Sequence, residues 1–325
     1  EPLSTHEYAV VYTMSSFTEQ STPVSFLFND TFSTVTDVEL IDRDLDPTEL
    51  GGTVTWTPPE ERSLVRYYVV YFAEDEHGAA RFQHREPVPE GTNILVVPVD
   101  FQLLDFTHIV VYTNSTLVEQ TTPGVFLIND TNSSVSEIEF PEKDLDFDDL
   151  GGRITWRAPE DTLQVTYYVV YLAADTSGGN RSQIGVWVPV GTEFIDLPFD
   201  QTKAYFDFVL VYTRSSLIEQ TTPVTFFISD TSSSITNLVF IDRDLDYEDL
   251  GGAVTWETPQ DISQTIHYVA YLATDYSGSN RSQIAPIEPV GINVMHLVPN
   301  TTTSPFTHVL VYTASTLVEQ TTPVA

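Results

Sequence analysis

Carboxylates recur at alternate positions in three stretches of the chain. They are Asp42, Asp44, Asp46 and Glu49; Glu142, Asp144, Asp146 and Asp149; and Asp242, Asp244, Asp246 and Asp249. Oxygen donors at every second residue of a short loop are the ligand pattern of calcium loops, where the ion takes about 6–8 oxygens. The sixth-position glycine of an EF-hand is missing, so the expectation is a calcium site of another kind. If loops converge at one pole of a domain, Asp75, Asp100 and Asp130 join the first set, and Asp175, Asp200 and Asp230 the second. Like charges so gathered repel unless a cation or solvent intervenes. The alternative for the same residues is a hydrated acidic pole that keeps the protein soluble.

A second chemistry is modification. Seven of the ten asparagines stand in Asn-x-Ser/Thr sequons: Asn29, Asn114, Asn129, Asn132, Asn180, Asn280 and Asn300. All fall in predicted turns or strand ends, where an N-linked glycan disturbs no core. Ser21-Thr22, Thr121-Thr122, Thr221-Thr222 and Thr321-Thr322 each precede a proline. That context suits O-linked sugars, and equally a turn or bulge fixed by the proline.

Catalytic patterns are missing. There is no cysteine, hence no disulfide, thiolate site or thiol nucleophile. His6, His108 and His308 share one position at which Phe208 also stands, which marks it as a packing position. His77, His84, His267 and His296 have no counterparts at related positions. No Gly-x-Ser-x-Gly, His-Glu-x-x-His or phosphate-cradling loop occurs. The expectation is that the chain is not an enzyme.

Thirteen Lys and Arg against 47 Asp and Glu give a net charge of -34. Such a charge repels phosphate backbones and anionic headgroups, which excludes nucleic acid and membrane surfaces as partners. Apolar runs such as Tyr67 to Ala73 are far below the ~18 residues of a membrane-spanning helix, so no membrane insertion is expected. Glu1 begins no signal peptide, so the sequence reads as a mature product or an excerpt.

The elements that must position these groups repeat. Val10 to Thr13 (VVYT) returns at Val110, Leu210 and Leu310; Trp56, Trp156 and Trp256 and the LGG triplets at Leu50, Leu150 and Leu250 keep the same interval of 100. A unit this long is a whole domain, unlike solenoid repeats of about 20–50 residues. The implied organisation is a partial module over 1–30, then repeats over 31–130, 131–230 and 231–325. Within the second, seven strands are expected: A at 135–140, B at 153–157, C at 165–174, C′ at 183–188, E at 193–197, F at 205–213 and G at 224–229. Strand B alternates, with Ile154 and Trp156 on one face and Arg153 and Thr155 on the other. Strands C and F are apolar on both faces, as central strands are.

Trp56-Thr57-Pro58 in strand B, Tyr67, Val69 and Tyr71 in strand C, and Leu197-Pro198 ahead of Tyr205 or Phe206 together resemble the fibronectin type III module. Val97-Pro98 with Phe106 and Val298-Pro299 with Phe306 repeat the corner. The resemblance implies an all-β fold of tandem seven-stranded sandwiches in a linear array, and it is similar to the long arrays of surface proteins in algae and other microbial eukaryotes.

Near-identical modules suit a structural glycoprotein of the cell exterior, a filament or rod that needs the same junction at a fixed interval. The partner is then another copy, head to tail. The rival is an adhesin whose loops hold carbohydrate or protein, but its loops would differ from unit to unit, and here EQTTP barely varies. Residues 5–30 spell strands F and G alone, and Ala325 falls where strand G of the third repeat begins. The expectation is that Val24 to Asn29 completes the third domain of a neighbouring copy; a covalent continuation of the array is the alternative.

Overall fold

A computed structural model describes residues 6–325; residues 1–5 of the partial first module lie outside the described residues. Every regular element is a strand. The first two are β1 (Tyr8–Val11) and β2 (Val24–Leu27), which pair as an isolated hairpin. Eight follow in the first repeat: β3 (Thr36–Asp42), β4 (Glu49–Thr57), β5 (Tyr67–Ala73), β6 (Phe82–Gln83), β7 (Val88–Pro89), β8 (Ile94–Gln102), β9 (His108–Asn114) and β10 (Gly124–Leu127). The second repeat has β11 (Ser136–Glu139), β12 (Asp149–Arg157), β13 (Val165–Ala173), β14 (Ser182–Gln183), β15 (Val188–Pro189), β16 (Phe194–Thr202), β17 (Phe208–Ser215) and β18 (Val224–Phe227). The third has β19 (Thr236–Asp242), β20 (Asp249–Glu257), β21 (His267–Ala273), β22 (Ser282–Gln283), β23 (Glu288–Pro289), β24 (Val294–Thr302) and β25 (His308–Ala314).

In the second repeat β11-β12-β16 form one antiparallel sheet and β18-β17-β13-β14 the other, with β15 also on β13. These are the A-B-E and G-F-C-C′ layers of a seven-stranded sandwich; the first repeat follows them, and the third does so without strand G among the described residues. The third repeat has no eighth strand among the described residues; a single bridge joins Val311 to Val324. The chain is therefore an all-β series of tandem sandwiches.

The alternating face of strand B makes the core. Ile154 and Trp156 are buried with Tyr168, Val170, Leu197, Val209 and Val211, and Trp156 meets Tyr168 edge to face at 5.3 Å. Trp56 with Tyr68 and Trp256 with Tyr268 do the same. The outer face of C and F is covered by a second small cluster, Ala173, Leu210 and Tyr212 with Tyr171, which is why both faces of these strands read as apolar. Tyr205 and Phe206, expected to open strand F, lie instead in the turn before β17, closed by the Phe206 amide on the Lys203 carbonyl.

Strands B and E are longer than expected, because the Gly-Gly pair belongs to the ladder and not to the loop. A Cβ on Gly151 would meet Phe199 Cα at 2.8 Å and Leu317 Cδ2 at 2.9 Å. Only a residue with no side chain lets the two backbones approach this closely. The pairing slips between Leu150 and Gly152, a bulge that bends the strand.

The chain packs as two compact units. One comprises 1–41, 52–97 and 103–129; the other comprises 42–51, 98–102 and 130–325. These do not follow the repeat boundaries, since the A-B loop of the first repeat packs with the second repeat. We expect Gly151→Ala to destabilise the protein by roughly 1–3 kcal/mol through overpacking, read as a lower denaturation midpoint. An unchanged midpoint would show that β12 and β16 can separate freely.

Candidate functional site

Within the second unit, the acidic loop over Asp42–Leu50 is organised by its own amides. The Asp42 Oδ1 accepts from the amides of Asp44 (3.1 Å) and Gly51 (2.9 Å), and Asp44 accepts from those of Asp46 (3.3 Å) and Asp100 (2.8 Å). Alternate carboxylates each cap the amide two residues on, which gives the loop its pitch. The loop over Glu142–Leu150 repeats these bonds, with Glu142 in place of Asp42.

The rest of the carboxylate oxygens face the next sandwich. The amides of Thr221 and Thr222 donate to Asp46 at 2.6 and 2.9 Å, and the Thr222 hydroxyl donates at 2.5 Å. The Thr131 amide donates to Asp42 at 3.0 Å, and the Thr48 amide to Asp130 at 2.7 Å. Between them Leu45 is fully buried, its carbonyl accepting from the Ser133 amide and the Gln220 side chain at 3.2 and 3.3 Å. Ser215 donates to the Arg43 carbonyl at 2.7 Å.

One hundred residues on, Asp146 accepts from the Thr321 and Thr322 amides at 2.6 and 2.9 Å and from the Thr322 hydroxyl. Leu145 is fully buried and its carbonyl accepts from Ser233 and Gln320. The EQTTP strings of the second and third sandwiches are thus readers of the acidic loops before them. The glutamate of the string works on the other side: Glu219 accepts from the Tyr171 hydroxyl and pairs with Arg181 at 3.0 Å, and that guanidinium lies over the Tyr171 and Tyr212 rings. Sequence reasoning missed this cluster, although Arg81, Arg181 and Arg281 recur at the repeat interval with their tyrosines.

Burial strains the charges. Asp42 is pushed up to about 6, chiefly by desolvation, against the opposing pull of its amide donors. Glu142 is pushed up to about 7 for the same reason. Glu49 and Asp100 are raised by desolvation and then by Asp44 and Asp46. Glu49 Oε2, Asp130 Oδ1 and Asp230 Oδ1 are buried with no hydrogen-bond partner.

Two groups of carboxylates could hold a cation: Asp44, Asp46 and Glu49, and Asp144, Asp146 and Asp200, each offering one oxygen within 4.8 Å of the others. All-oxygen donors with orphaned oxygens beside them fit a hard ion. Asp42 and Glu142 serve the backbone instead. Asp149 is raised by burial beside Asp144 and Asp146. Asp242, Asp244, Asp246 and Asp249 make no such group among the described residues; their loop is largely exposed. Asp75, Asp175 and Asp275 cap their own turns, as Asp175 does from Ser177 and Gly179.

Of the sequon asparagines, Asn29, Asn129, Asn132, Asn180, Asn280 and Asn300 are exposed and Asn114 is half-buried. Thr121, Thr122, Thr221 and Thr222 are exposed as residues, yet the Thr222 hydroxyl is engaged by Asp46.

No protein-family model matches the chain, and no curated protein matches its sequence. Among solved structures it is similar to the FN1–FN3 domains of chicken CNTN1, with 11% identity and a TM-score of 0.28. The three N-terminal domains of the Highly Immunogenic Outer Capsid protein (Hoc) of bacteriophage RB49 give 14% identity and a TM-score of 0.36. Each alignment covers 90% of this chain and 96% of the other. The fold assignment rests on this chain's own strand pairing.

Native carboxyls held at about 6 and about 7, for Asp42 and Glu142, bind protons that unfolded ones, near 4, have lost. Their contribution is therefore full below about pH 4 and fades as pH rises through 6 to 7. In chelator-containing buffer we expect the melting temperature to fall between pH 5 and pH 7.5. A rise over that interval would contradict the buried assignment.

Proposed function

We propose that the protein is a structural glycoprotein of the cell exterior, in which near-identical sandwiches are locked at a fixed interval to build a filament. One observation carries the reading: the acidic loop and the Thr-Thr-Pro string engage in the same way at both junctions of the second unit, with Leu45 and Leu145 fully buried. An adhesin presents its loops to a ligand. Here the F-G segments over 213–222 and 313–322 are occupied by the loop of the preceding repeat, which supports the structural reading over the adhesive one. Nothing in the site proposes an enzymatic role, and the exposed sequons support an exterior location with N-linked sugar.

A hard divalent cation such as calcium is the second part of the reading. It would be held by Asp44, Asp46 and Glu49, and by Asp144, Asp146 and Asp200, and would offset the desolvation, and after it the repulsion between carboxylates, that raise Glu49 and Asp200.

Three outcomes are expected. Leu145→Ala should cost about 2–5 kcal/mol and split the cooperative melting of the second and third sandwiches in calorimetry; an unsplit, unshifted transition would remove the basis for a locked junction. Calcium should raise the melting temperature of the wild type, by about 2.7 kcal/mol of stability at a hundredfold excess over Kd, and should do nothing for a Glu49→Gln, Asp200→Asn variant. Equal response of both would sink the cation. In native material, enzymatic deglycosylation should lower the intact mass, with peptide mapping placing sugar on Asn129, Asn180 and Asn280; bare asparagines would count against the exterior location.

A further inference from the structure

The first sandwich carries an empty counterpart of the socket that Leu45 and Leu145 fill. A cavity of about 210 Å³ opens between Ser33, Val65, Ser115, Val118 and Gln120. Raised by 100, these positions include Ser133, Ser215 and Gln220, the residues that hold Leu45 and Arg43. Raised by 200, they include Ser233, Ser315 and Gln320, which hold Leu145 and Lys143. In the first sandwich the Gln120 amide lies between the Thr113 and Thr34 hydroxyls, at 2.8 and 2.5 Å. The amides of Thr121 and Thr122 meet no acceptor among the described residues.

The matching plug is on the third sandwich. Leu245 is 97% exposed where Leu45 and Leu145 are fully buried. Its loop is already in the docking shape. Asp242 accepts from the amides of Asp244 and Gly251 at 3.0 Å each, and Asp244 from those of Asp246 (3.2 Å) and Asn300 (2.7 Å). These are the internal bonds of the two occupied loops, so little ordering remains to be done on binding. The Asp246 carboxylate, whose equivalents each take two amides, has no partner among the described residues.

A second pair of surfaces matches in the reverse direction. At the junction of the second and third sandwiches, Leu317 packs on Gly151, beside Arg153 and Leu197. On the third sandwich the equivalent groove, about 500 Å³ along Gly251, Leu297 and Pro299, is open. On the first sandwich the equivalent leucine, Leu117, is 89% exposed.

We propose that the third sandwich of one copy of this chain docks onto the first sandwich of a second copy, with Leu245 in the cavity beside Val65 and Val118, and Leu117 in the groove along Gly251. This rests on the structural reading above and gives it an attachment site. Asp246 would take the Thr121 and Thr122 amides, Ser33 and Gln120 would donate to the Leu245 carbonyl, and Ser115 to that of Arg243. The contact joins two different surfaces, so it propagates and does not close into a dimer.

Docking also offers β2 a different partner. In the second repeat, β18 runs from its pairing with β17 straight into the socket of the third. The same geometry sets β25 of the docking copy beside β2, in the place of β1. Val24 would displace Val324 from its bridge to Val311, and Leu310, Val309 and His308 would face β2 as Val10, Ala9 and Tyr8 do now. Phe26, now 70% exposed, would pack as Phe226 packs against the second core.

The test uses the whole chain in sedimentation velocity across a concentration series, at high salt to screen its charge. Wild type should form open-ended oligomers. Leu245→Asp and Leu117→Asp, both at exposed positions and therefore folded by circular dichroism, should each self-associate about tenfold or more weakly. Mixed, they should give a 1:1 heterodimer and nothing larger, because only one intact junction remains between them. A wild type that stays monomeric, or variants that associate as it does, would overturn the contact. If the wild type is monomeric while Leu145→Ala still uncouples the sandwiches, this attachment fails and the structural reading stands.

Discussion

A carboxylate taken out of water must be met by donors, and in this protein the donors come from the next domain. Asp46 and Asp146 each receive two consecutive amides from a Thr-Thr pair some 175 residues later. Charge-assisted bonds of this kind are stronger than neutral ones, and removing either side leaves a buried group unsatisfied. The junction follows from this demand. The Thr-Thr-Pro string must hold its amides parallel, the glutamine must reach the leucine carbonyl, and the leucine must fill the gap between. Each requirement fixes a residue, so EQTTP varies so little from copy to copy.

The same loop serves a second demand that conflicts with the first. Its carboxylates are spaced to cap its own amides, which crowds them; burial first, and then this crowding, raises Glu49, Asp100 and Asp200 above ordinary carboxyls. The oxygens spent on amides include those of Asp42, Asp44 and Asp46 and of Glu142, Asp144 and Asp146. The ones left over, on Glu49, Asp130 and Asp230, are where repulsion accumulates. Protonation and a bound cation are two ways to lower that repulsion, and they compete for the same oxygens.

Much of the fold was legible. The interval of 100, the alternation of Ile154 and Trp156, and the apolar runs of C and F reflect burial within one sandwich, where neighbours in space are set by a single domain's pattern. The convergence of Asp100 and Asp130 on the acidic loop was legible too, from the poles of the sandwich. The role of EQTTP was not. Its partners lie in another repeat, and no periodicity within a domain marks a contact across a boundary. The Gly-Gly pair falls outside the strand expected over 153–157, whereas Gly151 sits in a ladder against Phe199. Asp75 and Asp175 failed for a simpler reason: an aspartate two residues before a turn amide is satisfied locally before it can reach a pole.

Three copies of one sequence in different surroundings separate what a sandwich does alone from what its neighbour adds. The loop around Leu245 keeps the internal bonds of the other two at nearly the same lengths, so the loop's shape is intrinsic. Burial of its leucine is not: the side chain passes from fully buried at Leu45 and Leu145 to almost wholly exposed at Leu245. Stability in such an array divides into a term for each sandwich and a term for each junction, as in a one-dimensional lattice. The junction term belongs to residues such as Leu45, Asp46 and Thr222, which contribute little to the sandwich that carries them. They recur because each new sandwich gains stability from the loop before it and offers the same loop to the next.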